Sequence, residues 1–292
     1  MSKVKVAALQ FSCSRDVTEN IKTAERLTRQ AAKEGAKIIL LPELFERQYF
    51  CQERRYDYYD YAKTVSENDA VIAFKKLCKE LEVVVPVSFY EKDGNVLYNS
   101  VCMIDADGES LGVYRKTHIP DDHFYQEKFY FTPGNTGFKV FKTRYGNVGV
   151  GICWDQWFPE TARCLALNGA DIILYPTAIG SEPILNVDSS GHWRRTMQGH
   201  SAANVVPVMA ANRFGLESVE PCTENAGQNS SLRFYGSSFI TDPTGDIIAD
   251  APKEGECVIF AEFDFEEIRQ ERLSWGLFRD RRPEMYQDIL QN

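Results

Sequence analysis

The sequence is poor in the residue spacings that hold metals and cofactors. Its eight cysteines are scattered singly, and neither Cys-x-x-Cys nor His-Glu-x-x-His spacing, both common at metal sites, occurs. Its four histidines fall in two separate segments, 118–123 and 192–200. The glycines that precede Cys153 lack the dinucleotide-binding pattern. We therefore predict that the protein uses no metal and no other cofactor.

Positive charge and long apolar runs are also scarce. The chain carries 33 Lys and Arg against 42 Asp and Glu, a net charge of −9, whereas proteins that bind nucleic acids need a basic stripe for the phosphates. No apolar run approaches the length of a membrane-spanning helix, and the first residues form no apolar signal region. We expect a cytoplasmic protein in a reducing compartment, with neither nucleic acid nor membrane as a partner.

Nothing in the sequence marks a boundary between domains. No stretch rich in glycine, serine or proline resembles a linker, and no internal repeat is present. With 43% hydrophobic residues in 292, the chain can bury a large core, and we predict a single domain over 1–292. Strand and helix patterns alternate, which predicts an α/β layered domain. The patterns predict strands over 4–10, 37–41, 83–87, 147–152, 171–175, 205–210, 236–241 and 258–262, and helices over 20–34, 70–82, 159–168, 191–204 and 265–273.

Cys153 is a candidate nucleophile because it ends an apolar strand pattern and precedes a helix that opens with Pro159. In α/β sheets ligands collect beyond the carboxyl ends of strands, and a nearby helix N-terminus favours the thiolate. Free cysteines also pack as small buried hydrophobes, so this turn alone leaves both interpretations open. No histidine is spaced to pair with Cys153, although His118 or His200 could reach it in the folded chain.

Two further segments place charged side chains after apolar strand patterns. Glu43 follows the run 36–41 and Pro42, where a carboxylate beside an apolar wall suits proton transfer; a solvated loop glutamate is the alternative. Lys116 lies at the end of a short strand, where an inward lysine would hold an oxyanion. Only one of Lys116 and its neighbour Arg115 can point inward, because adjacent residues of a strand face opposite sides, and an exposed basic pair is the alternative.

Together these segments resemble the nitrilase or carbon–nitrogen hydrolase superfamily. The Glu-Lys-Cys triad of that superfamily corresponds, in the same order and with matching flanking residues, to Glu43, Lys116 and Cys153. The resemblance covers nearly the whole chain. It implies an α-β-β-α four-layer sandwich and an amidohydrolase that acts through a covalent intermediate on cysteine. It also implies that a further acid, Glu127, orients Lys116 or the substrate amide.

The stretches that flank the triad resemble one branch of the superfamily, whose substrate is a carbamoylated diamine. The implied substrate is a cationic ureido compound, and its ammonium group needs carboxylates in the pocket. We predict Glu182 and Asp121 as substrate-binding residues and name Asp122 as a further candidate, with surface positions as the alternative for all three. Trp154, directly after the nucleophile, is also predicted to contact substrate.

Other activities and assemblies stay open at this point. An amidase for carbamoyl amino acids, or an ω-amidase, belongs to the same superfamily, and a substrate carboxylate would need an arginine such as Arg194 or Arg195. A catalytically inactive binding or assembly subunit is a further alternative, which an intact triad argues against. The resemblance implies a homo-oligomer built from dimers, with the segment 265–292, including Arg281 and Arg282, in subunit contacts.

Overall fold

A computed structural model describes residues 3–181 and 187–291 of the chain. The strands are β1 (Val4–Gln10), β2 (Ile38–Leu40), β3 (Val85–Asp93), β4 (Val96–Ile104), β5 (Ser110–Arg115), β6 (Val140–Thr143), β7 (Gly146–Val150), β8 (Ile172–Thr177), β9 (Val208–Asn212), β10 (Phe214–Val219), β11 (Ser230–Tyr235), β12 (Phe239–Thr241), β13 (Ile247–Asp250) and β14 (Cys257–Phe263). The α-helices are α1 (Val17–Lys33), α2 (Asp69–Leu81), α3 (Pro159–Leu167), α4 (Ser190–Asn204) and α5 (Phe265–Trp275). No helix among the described residues is long and apolar enough to cross a membrane.

The strands form two mixed sheets and a separate hairpin. In the first sheet the order is β14-β1-β2 followed by β3-β4-β5, and a bridge between Ile38 and Val84 joins the two halves. In the second sheet the order is β13-β12-β9-β8-β7-β6, with β7, β8 and β9 parallel. Strands β10 and β11 pair with each other. The parallel centre explains why β7, β8 and β9 read as apolar runs, since both faces of such strands are covered.

The two sheets pack face to face, with helices on both outer sides. Along β1, Val6 and Ala8 face the second sheet, where they join the core formed with β7 and β8, while Ala7 and Leu9 face α1 and α2. On the far side, Ile173 of β8 packs with residues of α3 and α4. This alternation follows the two-residue period of a strand. The predicted four-layer α-β-β-α sandwich is confirmed.

Local signals set the helix boundaries. The Asp16 side chain accepts a hydrogen bond from Glu19 N and so caps α1, which begins three residues before its predicted start. Asn68 caps α2 in the same way. The prediction missed β6, the β10–β11 hairpin and β13, and it ended β3 six residues early, at residue 87 instead of Asp93. The polar end of β3 is strand because β4 pairs with it over its full length.

Several strand ends meet at one end of the sandwich. The chain leaves β2 toward Glu43, whose N–H donates to the carbonyl of Thr177 at the end of β8 (3.3 Å). It leaves β5 at Lys116, whose N–H donates to the carbonyl of Asn99 in β4 (2.8 Å). It leaves β7 toward Cys153, whose sulfur lies 3.7 Å from the carbonyl oxygen of Ala178. The fold therefore gathers side chains from distant segments at this edge.

Candidate active site

Lys116 is held by the backbone around it. Its carbonyl accepts a hydrogen bond from Gly134 N (2.7 Å), and a Cβ at Gly134 would lie 2.1 Å from the carbonyl oxygen of Arg115, so only glycine fits there. Arg115 points away and pairs with Glu91 (2.7 Å) and Asp93 (2.6 Å). The Lys116 side chain points inward and is fully buried. As predicted, the two neighbouring cations lie on opposite sides of the strand.

Two carboxylates bind the Lys116 ammonium. Its Nζ lies 2.9 Å from Glu43 Oε1 and 2.6 Å from Glu127 Oε2, and all three side chains are buried. Burial alone would lower the pKa of Lys116, but the charges of Glu127 and Glu43 raise it well above its usual value. The lysine therefore stays charged. An ammonium has three N–H donors, so one remains after these two contacts.

Glu43 is anchored through one carboxylate oxygen and through its backbone. Asn99 donates to Oε1 (2.7 Å), the oxygen that also accepts from Lys116. The buried guanidinium of Arg213 donates to the Glu43 carbonyl (2.7 Å). Among the described residues, Oε2 of Glu43 is buried and has no hydrogen-bond partner. The orientation of the carboxylate is thus set while one oxygen stays available to accept a proton.

Glu127 opens a short 3₁₀ turn (Glu127–Phe129), and the hydroxyl of Tyr49 donates to its second oxygen (2.7 Å). Burial raises the pKa of Glu127 to about 7, against the lowering influence of Lys116 and of the Tyr49 hydrogen bond. Its charge therefore changes near neutral pH. Loss of that charge would weaken the ion pair between Glu127 and Lys116.

Cys153 sits in a strained turn between β7 and a 3₁₀ turn (Cys153–Trp157). Its φ is +42°, a region that costs a non-glycine residue about 1–3 kcal/mol and that is commonest at functional sites. The residue is 7% exposed. Burial, and then the charge of Glu43, raise the pKa of Cys153 well above its usual value, although Lys116 acts in the opposite direction.

This result corrects the expectation of a thiolate favoured by a helix N-terminus. Helix α3 begins only at Pro159, after the 3₁₀ turn Cys153–Trp157. Burial and the carboxylates of Glu43 and Glu127 raise the pKa of Cys153 and outweigh the lowering influence of Lys116. The resting residue is a neutral thiol. A neutral thiol would need a base before it could act as a nucleophile.

A cavity of about 220 Å³ opens at the sulfur. Its lining combines carboxylates with aromatic rings: Asp121, Asp122, Glu127, Tyr125, Trp154 and Trp157. Two of the predicted substrate-binding residues, Trp154 and Asp121, are thus brought to the cavity. Asp121 also lies 4.0 Å from Nη2 of Arg54. The third, Glu182, falls outside the described residues.

Comparison with known proteins decides the family. Residues 5–272 match the carbon–nitrogen hydrolase family over most of the chain. The chain belongs to the carbon–nitrogen hydrolase family. This hydrolase is 58% identical over 290 residues to N-carbamoylputrescine amidase of Oryza sativa subsp. japonica, a match that covers 99% of the chain and 95% of the relative. It is also 54% identical over 291 residues to the citrullinase of Francisella tularensis, covering 99% of both.

A solved structure supports the fold of the hydrolase. The crystal structure of a carbon–nitrogen hydrolase from Helicobacter pylori G27 matches it with a TM-score of 0.90 at 35% identity, covering 100% of this chain and 99% of that one. The resemblance that the triad segments suggested is confirmed at the level of the family.

Both histidines named as alternatives, and one of the two arginines, have other partners in the hydrolase. His118 Nδ1 lies 2.7 Å from Asp155 Oδ1, and His200 Nε2 lies 2.8 Å from the carbonyl oxygen of Gln156. Arg194 pairs with Asp250 (2.7 Å). In residues 3–181 and 187–291, no three His, Cys, Asp or Glu side chains are grouped to hold a metal ion. The geometry favours Glu43 over either histidine as the base for Cys153.

The sequence interpretation overlooked three residues that support the site: Asn99, Tyr49 and Arg213. Asn99 interrupts the apolar strand β4, and an internal polar residue in a buried strand is itself a signal. Arg213 directly follows β9, so the argument used for Glu43 and Cys153 would also have found it. Tyr49 carries no local signal, because its role depends on a contact with Glu127, 78 residues away.

Proposed function

We propose that the protein hydrolyses N-carbamoylputrescine to putrescine, ammonia and carbon dioxide through a covalent intermediate on Cys153. The chemistry is supported above all by one observation, the Lys116 ammonium held between Glu43 and Glu127 at a cavity that reaches the Cys153 sulfur. The choice of substrate is supported by the near full-length likeness to the rice amidase.

The first step uses the free oxygen of Glu43. Oε2 takes the proton of the Cys153 thiol as the sulfur attacks the ureido carbon, which suits a thiol whose pKa is raised in the resting protein. One C–S bond forms, and the carbonyl π electrons move to the oxygen. Attack and deprotonation are therefore coupled.

The oxyanion needs donors at fixed positions. The remaining N–H of Lys116 and the backbone N–H of Trp154 serve as those donors, with the lysine held in place by Glu43 and Glu127. Because the Lys116 ammonium is already desolvated and paired in the free protein, its surroundings need to reorganise little when negative charge develops on the substrate oxygen.

Glu43 then returns its proton to the departing nitrogen, and the C–N bond breaks to leave a carbamoyl-type thioester on Cys153. Water attacks this thioester with Glu43 as base, the sulfur leaves, and Glu43 returns the proton to it. If putrescine leaves first, this hydrolysis releases carbamic acid, which decomposes into ammonia and carbon dioxide. If ammonia leaves first, it releases N-carboxyputrescine, which loses carbon dioxide to give putrescine. The carboxylate thus acts as base and acid in each half of the reaction.

The ammonium tail of the substrate is bound by carboxylates. Asp121 and Asp122 line the cavity, and Glu182 remains a predicted partner, while the rings of Trp154 and Trp157 contact the methylene chain. Asp121→Asn is expected to raise KM for N-carbamoylputrescine more than KM for N-carbamoylbutylamine, whose tail is uncharged. An equal rise for both substrates would contradict ammonium recognition by Asp121.

The deciding experiment incubates the purified protein with N-carbamoylputrescine and measures putrescine and ammonia together. We expect the two products in equal amounts, with kcat/KM at least tenfold above that for 3-ureidopropionate and for an ω-amide of a dicarboxylic acid. Higher activity on either anionic substrate would overturn the assignment.

Citrulline is a second candidate substrate, because the chain is nearly as similar to the Francisella citrullinase as to the rice amidase. Citrulline carries a carboxylate beside its ammonium, and Arg54, close to Asp121, offers a cation for it. Arg54→Gln would then raise KM for citrulline and leave KM for N-carbamoylputrescine unchanged. A kcat/KM for citrulline above that for N-carbamoylputrescine would make it the physiological choice.

We also propose a single-domain homo-oligomer built from dimers, in the cytoplasm. The C-terminal segment exposes large apolar side chains, among them Leu273 (72%), Trp275 (65%) and Leu290 (76%), which is typical of a protein interface. Light scattering should report a dimer or a multiple of it, and Leu273→Glu should dissociate it while Ile72→Glu on α2 should not.

The eight cysteines are free, as in proteins of a reducing compartment. Cell fractionation would test the proposed cytoplasmic location.

A further inference from the structure

We propose that Asp155 is a positioning residue that fixes the turn of the nucleophile against the end of the lysine strand, with His118 as its partner. This inference rests on the proposed hydrolysis at Cys153. It assigns a role to a buried carboxylate that takes no part in the proton transfers described above.

Asp155 is fully buried and accepts four hydrogen bonds. Oδ2 accepts from the backbone N–H of Ile152 (2.9 Å) and from the hydroxyl of Tyr114 (2.6 Å). Oδ1 accepts from the backbone N–H of His118 (2.9 Å) and from its ring Nδ1 (2.7 Å). A carboxylate can only accept hydrogen bonds, so this contact requires a proton on Nδ1 of His118.

The positions of these donors explain the role. Tyr114 and His118 lie two residues before and two residues after Lys116, while Ile152 and Asp155 lie on either side of Cys153. One carboxylate therefore contacts both sides of the segment that carries the lysine and joins it to the segment that carries the sulfur. Four donors on a single charged group make this link strong and directional.

The turn needs such a link because Cys153 has a φ of +42°. A non-glycine residue keeps this conformation only where the surroundings impose it. The hydrogen bond from Ile152 N to Asp155 Oδ2 closes the turn around the nucleophile. Without it, the turn can relax and move the sulfur away from Lys116 and Glu43.

The His118 ring is itself held in place. It stacks on Phe158, with ring centroids 3.6 Å apart and planes at 6°, and its side chain is 25% exposed. The ring therefore presents Nδ1 to Asp155 in one orientation. His118 acts on the nucleophile through Asp155 and not as its base.

Three variants test the inference. Asp155→Asn replaces one carboxylate oxygen with an NH₂ group that faces two donors. We expect kcat to fall about 10²-fold, the typical effect of a displacement of about 1 Å in an active site, with little change in KM. His118→Leu removes the ring donor and should lower kcat at least tenfold. His118→Asn keeps an N–H donor near the position of Nδ1 and should restore most of that loss.

A matched control separates positioning from stability. Asp171 is a second buried carboxylate, which accepts from Asn147 N (2.8 Å) and pairs with Arg269 at the opposite end of β7. Asp171→Asn should lower the melting temperature as Asp155→Asn does but leave kcat unchanged. Circular dichroism would check that each variant is folded.

Alkylation of Cys153 by iodoacetamide tests the inference without any substrate. We expect the rate constant to fall at least tenfold in Asp155→Asn and in His118→Leu, and to recover in His118→Asn. Unchanged alkylation and turnover in Asp155→Asn or His118→Leu would overturn the proposal, and so would equal losses in His118→Leu and His118→Asn. If the wild-type protein failed to hydrolyse N-carbamoylputrescine, the proposed function would fail, while alkylation would still decide the role of Asp155.

Discussion

Replacing Glu43 with glutamine removes a buried negative charge and leaves the shape of the side chain unchanged. The glutamine carbonyl can still accept from Asn99 and Lys116, which contact Oε1 at 2.7 and 2.9 Å in the native protein. The amide nitrogen replaces Oε2, the oxygen without a partner among the described residues. That nitrogen cannot accept the thiol proton, so the variant should bind substrate and fail at the chemical step.

The size of the loss follows from the role. General acid–base catalysis typically contributes about 10²–10⁴-fold, or ~3–5 kcal/mol of activation free energy. We expect kcat of Glu43→Gln to fall by about that factor, with little change in KM because the packing is preserved. Steady-state assay of ammonia release measures both parameters.

A second measurement on Glu43→Gln should show increased reactivity of Cys153, in contrast to the loss of turnover. The charge of Glu43 is, after burial, the largest contribution that raises the pKa of Cys153, so its removal lowers that pKa. Alkylation by iodoacetamide should therefore reach half its maximal rate at a lower pH in the variant than in the wild type. Turnover falls while the thiolate forms more readily.

The control removes a buried carboxylate elsewhere. Glu53 is also buried and accepts from Tyr58 and Asn225, and Glu53→Gln should leave kcat and the alkylation profile unchanged. A Glu43→Gln variant with more than a tenth of the wild-type kcat would refute Glu43 as the base. A shift of the alkylation profile to higher pH would refute the electrostatic argument.

Three other predictions follow from the same contacts. Cys153→Ala should fold and have no measurable turnover, as circular dichroism and product assays would show; substantial turnover would exclude Cys153 as nucleophile. Glu127 must be charged to hold Lys116, so kcat should rise with pH through about 7. Tyr49→Phe removes a hydrogen bond that lowers the pKa of Glu127, and it should therefore move this rise in kcat to higher pH. Arg213→Met leaves Glu217 buried without its 2.9 Å partner and should cost about 3–5 kcal/mol in urea unfolding; a loss under about 1 kcal/mol would contradict a structural role for the pair.

The sequence was informative where a strand pattern ended in a reactive side chain. That criterion found Glu43, Lys116 and Cys153, and the superfamily resemblance added Glu127. The structure brings Glu43, Lys116 and Glu127 into direct contact and places their charges within reach of the sulfur. A reactive residue at the end of a strand can be predicted from the sequence around it, because one segment supplies both the strand and the side chain.

Contacts between distant segments could not be read in this way. Asn99 meets Glu43 across 56 positions, and Arg213 meets the Glu43 carbonyl across 170. The pKa of Cys153 was predicted to be lowered, whereas burial and the neighbouring carboxylate of Glu43 outweigh the charge of Lys116 and raise it. The alternating pattern of β11 was missed because a hairpin outside the main sheets buries only part of each strand.

The most direct test of the mechanism is mass spectrometry of the Cys153 peptide after rapid quenching of turnover with N-carbamoylputrescine labelled with ¹³C at the ureido carbon. We predict that this peptide gains a carbamoyl-type group containing the label, and that the mass of the group identifies which nitrogen leaves first. The Cys153→Ala protein should gain no label and release no ammonia. Recovery of the label on another residue, or ammonia release by Cys153→Ala at the wild-type rate, would contradict the mechanism.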